Sequence, residues 1–299
     1  MKRKRAWVNG LAIAVGAVVL GGGCSGKKAP EGSDGATEIH AATVKEVPLD
    51  PAAKEWNTAR ELVVELMPQG VAFPMLQKVT VTKLAVRALV DPNWLGLKLT
   101  WEDPSQSDAL DVDQFTDAVA IELPVGDPDK TNPMMGSKEN PVYIAHWKAA
   151  WQRDRDTHRA DVQDRYPNFW SDGYPFVSGG HPYPVQESFQ SANSRRYLPG
   201  VAAANPVSKL AREWPVEELH ATGFGSLADH RFQDARARGK WADGKWQVVL
   251  AVPRLVADHA NPRLPKGAKS KVAFAVWEGK DGQVAGRKQW YSFVDLVLP

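Results

Sequence analysis

The 299-residue chain holds one cysteine, Cys24. That excludes disulfides within the chain, all-cysteine zinc sites, iron–sulfur clusters held by the protein, and covalent cofactor attachment through Cys-x-x-Cys-His. An excess of charge of one sign is also missing. Lys plus Arg is 37 against 35 for Asp plus Glu, a formal net charge of +2, and no field of that size argues for a nucleic-acid partner. Long hydrophobic runs are scarce too. The only extended one, residues 6–20, falls short of the roughly 20 apolar residues a bilayer-spanning helix needs. The seven histidines show no metal-ligand spacing, and no Gly-x-Ser-x-Gly elbow or Gly-rich phosphate loop follows a strand-like run. Gly223-Phe224-Gly225-Ser226 reads as a tight strand end, not a phosphate cradle.

What is present points first to an address. Lys2-Arg3-Lys4-Arg5, the apolar run and then Gly21-Gly22-Gly23-Cys24 have the order of a bacterial secretory signal, with residues 1–23 as the signal peptide. Cys24 after Gly22-Gly23 resembles the lipobox at which bacterial lipoproteins are cut and lipidated, although Gly21 stands where a large aliphatic residue is expected. The expectation is an extracytoplasmic or periplasmic protein anchored through a lipid on Cys24. Residues 24–42, rich in Gly, Ala, Ser and Lys, read as a flexible tether.

The whole chain has 43% hydrophobic residues, 22 prolines and 24 glycines, which in 43–299 supplies a core and punctuates it into short runs. The pattern predicts an all-β fold: an antiparallel β-sandwich of two sheets with a long, partly helical insertion at about 150–206. Runs at 79–89 and 95–101 alternate about the turn-like Asp91-Pro92-Asn93. Further strands are expected at 61–67, 117–123, 142–147, 219–224, 246–252, 272–277 and 289–298, with Asp243-Gly244 as a hairpin turn. The stretch 146–165 is the one that reads as helical.

Three sets of side chains bear on chemistry. The carboxylate neighbours Glu102-Asp103 and Glu217-Glu218 lie on strand-like runs, where adjacent residues point to opposite faces, so neither makes an acid and base pair. Twelve tryptophans are compatible with a packed core, the wall of a flat apolar ligand or an exposed sugar platform. Met134 and Met135 are core filler or a soft thioether ligand, and spacing does not choose between them.

Several strings taken together resemble one family. They are Pro68-Gln69, Trp101-Glu102-Asp103, Phe115-Thr116-Asp117-Ala118-Val119-Ala120-Ile121, Pro133-Met134-Met135-Gly136, Trp147-Lys148-Ala149, Tyr166-Pro167-Asn168, Gly223-Phe224-Gly225-Ser226-Leu227, Trp241-Ala242-Asp243-Gly244-Lys245-Trp246 and Gly286-Arg287-Lys288. From about residue 45 to the C-terminus the chain is similar to the haem b-binding gamma subunits of ethylbenzene dehydrogenase, dimethylsulfide dehydrogenase, and selenate and chlorate reductases. That resemblance implies a β-sandwich holding one haem b between a methionine and a lysine. Met135 matches the methionine, with Met134 as its neighbour and fallback, and Lys288 matches the lysine. It also implies partners: the iron–sulfur and molybdopterin subunits of an oxidoreductase, and a cytochrome c or membrane acceptor. Two alternatives stay open: a carbohydrate-binding sandwich without haem, and a haem that pairs Met135 with His220 or His259.

Overall fold

A computed structural model describes residues 38–158, 164, 166–168, 199–203, 212–256 and 258–299. Within it, strands run in the order β1 (Glu38–His40), β2 (Ala42–Thr43), β3 (Leu62–Glu65), β4 (Met67–Pro68), β5 (Lys83–Val90), β6 (Trp94–Glu102), β7 (Ala118–Pro124), β8 (Val142–Lys148), β9 (Val216–Ala221), β10 (Ala228–Asp229), β11 (Arg236–Ala242), β12 (Lys245–Pro253), β13 (Lys269–Trp277) and β14 (Gln289–Val297); helix α1 (Ala149–Asp156) follows β8. Eight strands form one sheet in the order β1-β14-β13-β7-β8-β9-β10 with β4 paired to β14. Six form the other, β11-β12-β6-β5-β2 with β3 paired to β5. All pairings are antiparallel except those of the short strands β1 and β2, so the two-sheet antiparallel sandwich stands as the sequence predicts.

Strand alternation decides what faces inward. Leu95, Leu97, Leu99 and Trp101 of β6 meet Val119, Ile121 and Leu123 of β7 and Tyr143, Ala145 and Trp147 of β8 in one buried cluster. Its centre is three indoles. Trp101 stacks on Trp246 at 6.4 Å, and Trp147 stands edge-on to both, 4.9 Å from Trp246 and 6.4 Å from Trp101. Trp147 fits because its β11 neighbour is Gly239: a Cβ there would sit 2.3 Å from Trp147 Cζ2. The hairpin β11-β12 turns through Asp243 and Gly244, both at positive φ (53° and 70°), the geometry for which Asp-Gly is selected.

Two boundaries differ from the sequence reading. The folded part begins by Glu38, inside the 24–42 segment assigned to the tether: β1 pairs with β14 and buries Ile39, an edge-strand contact too short for periodicity to reveal. Helix α1 begins at Ala149, not 146, because 146–148 complete β8 between β7 and β9. Thr116 Oγ1 accepts from Ala150 N–H at 2.9 Å, taking up one of the free amides at the helix start. Residues 1–37, with the signal and Cys24, and most of the insertion lie outside the described residues.

Gly239→Ala is expected to lower unfolding stability by about 1–3 kcal/mol, because the added methyl group must displace the central indole of a close-packed core; urea unfolding followed by tryptophan fluorescence measures it.

Candidate functional site

The outer face of the eight-stranded sheet is unlike the inner one. Ala118 and Ala120 of β7 and Ala273 and Ala275 of β13 give it a shallow floor, flanked by Ile144 and Leu219, and a cavity of about 690 Å3 lies on this floor. The loops at 69–73, 110–116, 133–135, 224–227 and 283–288 wall it. Its volume is in the range of about 300–1,000 Å3 found for small-molecule and cofactor sites. Small side chains below and apolar loops around make a slot for a flat, largely apolar ligand.

Met134, Met135 and Lys288, distant in the chain, all line this cavity. Met135 packs against the cluster formed by Ala118, Ala120, Val142, Ile144, Leu219, Ala221 and Trp277, and it does so from a left-handed backbone conformation, φ 70°. A non-glycine residue there is uncommon and costs of order 1–3 kcal/mol, which persists only where surrounding contacts impose it. Those contacts are visible: Gly136 N–H donates to Asn132 O, and Gly223 N–H donates to Met135 O at 2.8 Å. Gly136 has no room for a side chain, since a Cβ would lie 2.8 Å from Asn140 O.

The lysine loop is fixed in the same way. Trp277 Nε1–H donates to Ala285 O at 3.0 Å, and the buried Gln69 donates from Nε2 to Gly286 O at 2.7 Å and from its backbone N–H to Lys288 O at 3.0 Å. Ala285 is again a non-glycine residue at positive φ, 54°.

Burial lowers the Lys288 pKa, only partly offset by the nearby Glu122 carboxylate. Its Nζ lies 5.0 Å from the centre of the Trp277 ring. Glu122 is itself pushed up to about 8 by burial, against the pull of Lys288 and the Met135 N–H, and its Oε1 has no hydrogen-bond partner. Desolvation thus favours the uncharged form of both groups, and a neutral amine has a free lone pair. A thioether, a desolvated amine and a flat apolar slot form a donor set for a soft or borderline metal in a planar ring.

A second polar group lies on the same floor. His146 Nδ1 hydrogen-bonds Glu217 Oε1 at 2.9 Å, with Lys148 Nζ 3.4 Å from the same oxygen. Burial lowers the histidine's pKa, and its buried Nε2 has no hydrogen-bond partner. Glu217 would be raised by burial, but the His146 hydrogen bond together with His146, Lys148 and Arg212 holds it at about 2.

Neither histidine offered as an alternative partner for Met135 lines the cavity. His220 follows Leu219 on β9, and its ring is 6.4 Å from His230; His259 lies in a turn after β12. Glu217 and Glu218 do part to opposite faces, Glu217 toward His146 and Glu218 toward Tyr143. Sequence reasoning missed Glu122, His146 and Gln69 as site residues. The only trace was a charged or polar residue recurring on one face of an otherwise apolar strand, which exposed strands share. Of the described tryptophans none is exposed, and Trp56, Trp101, Trp147 and Trp246 are deeply buried.

The fold and site together define an antiparallel β-sandwich that carries a cofactor-sized slot on the outside of one sheet. The chain belongs to the ethylbenzene dehydrogenase family, whose sequence model matches residues 53–289. It is 24% identical over 250 residues to the chlorate reductase subunit gamma of Ideonella dechloratans, covering 81% of this chain and 77% of that one. It is 22% identical over 261 residues to a protein of Haloferax mediterranei provisionally named a respiratory nitrate reductase heme subunit, covering 85% and 71%. Among solved structures, a family 9 carbohydrate-binding module from Caldicellulosiruptor kristjanssonii in complex with glucose aligns over 87% of this chain and 95% of that one, at 11% identity and a TM-score of 0.40. Likeness at that level carries no argument about a ligand.

A carboxyl depressed in the folded state contributes stability that is complete above its ordinary 4.5 and lost as pH falls through its folded value of about 2. Unfolding free energy is therefore expected to fall between about pH 4.5 and pH 2 by at most about 3 kcal/mol from Glu217, and Glu217→Gln is expected to flatten that part of the profile in urea titrations.

Proposed function

We propose that this chain is an exported b-type cytochrome, the haem subunit of a multi-subunit oxidoreductase, in which Met135 and Lys288 would hold the haem iron. The observation that carries the reading is that Met135 and Lys288, distant in the chain, line one apolar slot in which the amine is desolvated. The residues fit the group. The alanine floor accepts a flat ring, and hydrogen bonds hold both ligand loops in place. The names of the two relatives, subunits of reductases, support membership of a complex.

Bound there, haem b supplies a one-electron relay. The chain's own residues set the terms of it. Met135 offers a neutral, soft sulfur, which favours the ferrous state, and Lys288 offers its amine only after losing a proton, which burial promotes. With both ligands from the protein, no position is left for a substrate, so the chain passes electrons and performs no turnover itself. The proposed route runs between the iron–sulfur subunit of a molybdenum enzyme and a cytochrome c or membrane acceptor. A lipid on Cys24 would keep the assembly at the outer face of the cytoplasmic membrane.

Protein made with its leader and purified from the cell envelope is expected to give a low-spin b-type spectrum when reduced. Met135→Ala and Lys288→Ala are each expected to convert it to a high-spin or haem-free form, whereas His220→Ala leaves it unchanged. A colourless wild type that takes up no added haem would overturn the reading. Cys24→Ser is expected to move the protein from the membrane to the soluble fraction, read by immunoblot of fractionated cells.

A further inference from the structure

Given the haem assignment, on which this rests, we propose that Glu122 is the positioning residue shared by the two ligand loops, its free oxygen accepting a hydrogen bond from the Lys288 amine when that amine binds iron.

Glu122 stands on β7, the strand between β13 and β8. It follows Ala118 and Ala120 on the face that floors the cavity, and it lines the cavity with them. Its strand partners are Ala273 on one side and Ile144 on the other, and Leu219 of β9 is paired to Ile144 beyond. All three are apolar and border the same cavity. A carboxyl in such a row is unfavourable to bury without a partner, and alanine serves at the two preceding positions of that face. Glu122 Oε1 is nonetheless buried with no hydrogen-bond partner. An acceptor held in that state is matched to a donor that comes with the ligand.

Two donors act on the carboxyl, one from each ligand residue: the Met135 N–H and the Lys288 amine. Glu122 is in turn the side-chain charge that acts on Lys288. Met135 lies in the loop between β7 and β8, and Lys288 in the loop between β13 and β14. A carboxyl on the strand between β13 and β8 is therefore a fixed point common to both loops.

The chemistry of the amine supplies the missing contact. A lysine amine that gives its lone pair to a metal keeps two N–H hydrogens, and in a dry slot these need acceptors. A carboxyl offers acceptor lone pairs whether or not it holds a proton, so the contact does not depend on its charge. It would fix the direction of the amine and make it a stronger electron donor, as carboxylates do for metal-bound histidines. A stronger donor favours ferric iron and lowers the potential, opposing the pull of the Met135 sulfur toward the ferrous state.

Two variants separate this role from a structural one. Glu122→Leu keeps the volume and removes the acceptor, whereas Glu122→Gln keeps an acceptor of the same shape. In the haem-free protein, Glu122→Leu is expected to raise the urea midpoint, because it removes an unpaired buried group. With haem bound, the same variant is expected to raise the reduction potential by about 59 mV or more, a tenfold change in the ferric-to-ferrous balance. It is also expected to release haem to apomyoglobin at least about 10-fold faster. Glu122→Gln is expected to stay close to the wild type in both. A low-spin wild type whose potential and haem release are unchanged in Glu122→Leu would overturn the role of Glu122 and leave the haem assignment standing. So would a Glu122→Gln protein as perturbed as Glu122→Leu, or a haem-free Glu122→Leu protein less stable than the wild type. A wild type that takes up no haem overturns the haem assignment and this role with it.

Discussion

A lysine amine taken out of water must give up its proton or keep an anion beside it, and the architecture around Lys288 turns on that constraint. Glu122 is the available anion, but it is buried deeply enough to prefer its own proton. Burial thus works against the charge on both groups. A solvent-facing lysine in the same sequence would be an ordinary surface cation. The loops that wall the slot, the alanines beneath it and the indole of Trp277 are what keep water from Lys288.

Holding two donors around one slot needs rigidity in loops, where backbone is least constrained. The structure supplies it by hydrogen bonds to the ligand loops from Gln69 and Trp277 on one side and from Gly223 on the other, with a bond from Gly136 N–H to Asn132 O inside the methionine loop. The positive φ angles at Met135 and Ala285 show these loops held in conformations their residues do not prefer. Local strain kept in place by surrounding contacts is a recurrent property of ligand sites.

The sheet itself has two different faces. Inward, large side chains interlock around Trp101, Trp147 and Trp246, and the fit extends to the bare Gly239 under one indole. Outward, β7 and β13 alternate the same apolar inner residues with alanine, which leaves a floor without a filling. A strand buried on both faces by its own chain would carry bulky residues at those positions.

Local pattern in the sequence was enough for most strands, the Asp243-Gly244 hairpin and the two-sheet class, because alternation and turn chemistry are encoded within a few residues of each other. Met135 and Lys288 were legible only through likeness to a family; residue type and spacing left a methionine pair and a lysine open to several roles. Glu122, His146 and Gln69 were hidden because what distinguishes them is desolvation, and burial of a charged side chain depends on segments far away in the chain. The entry of Glu38–His40 into the sheet was equally invisible, since a three-residue edge strand exists only where β14 offers it a partner. Sequence thus determined which elements form and which face each residue takes. Tertiary structure alone decided which of those faces is covered by water, by core or by loops, and therefore which lysine is taken out of water.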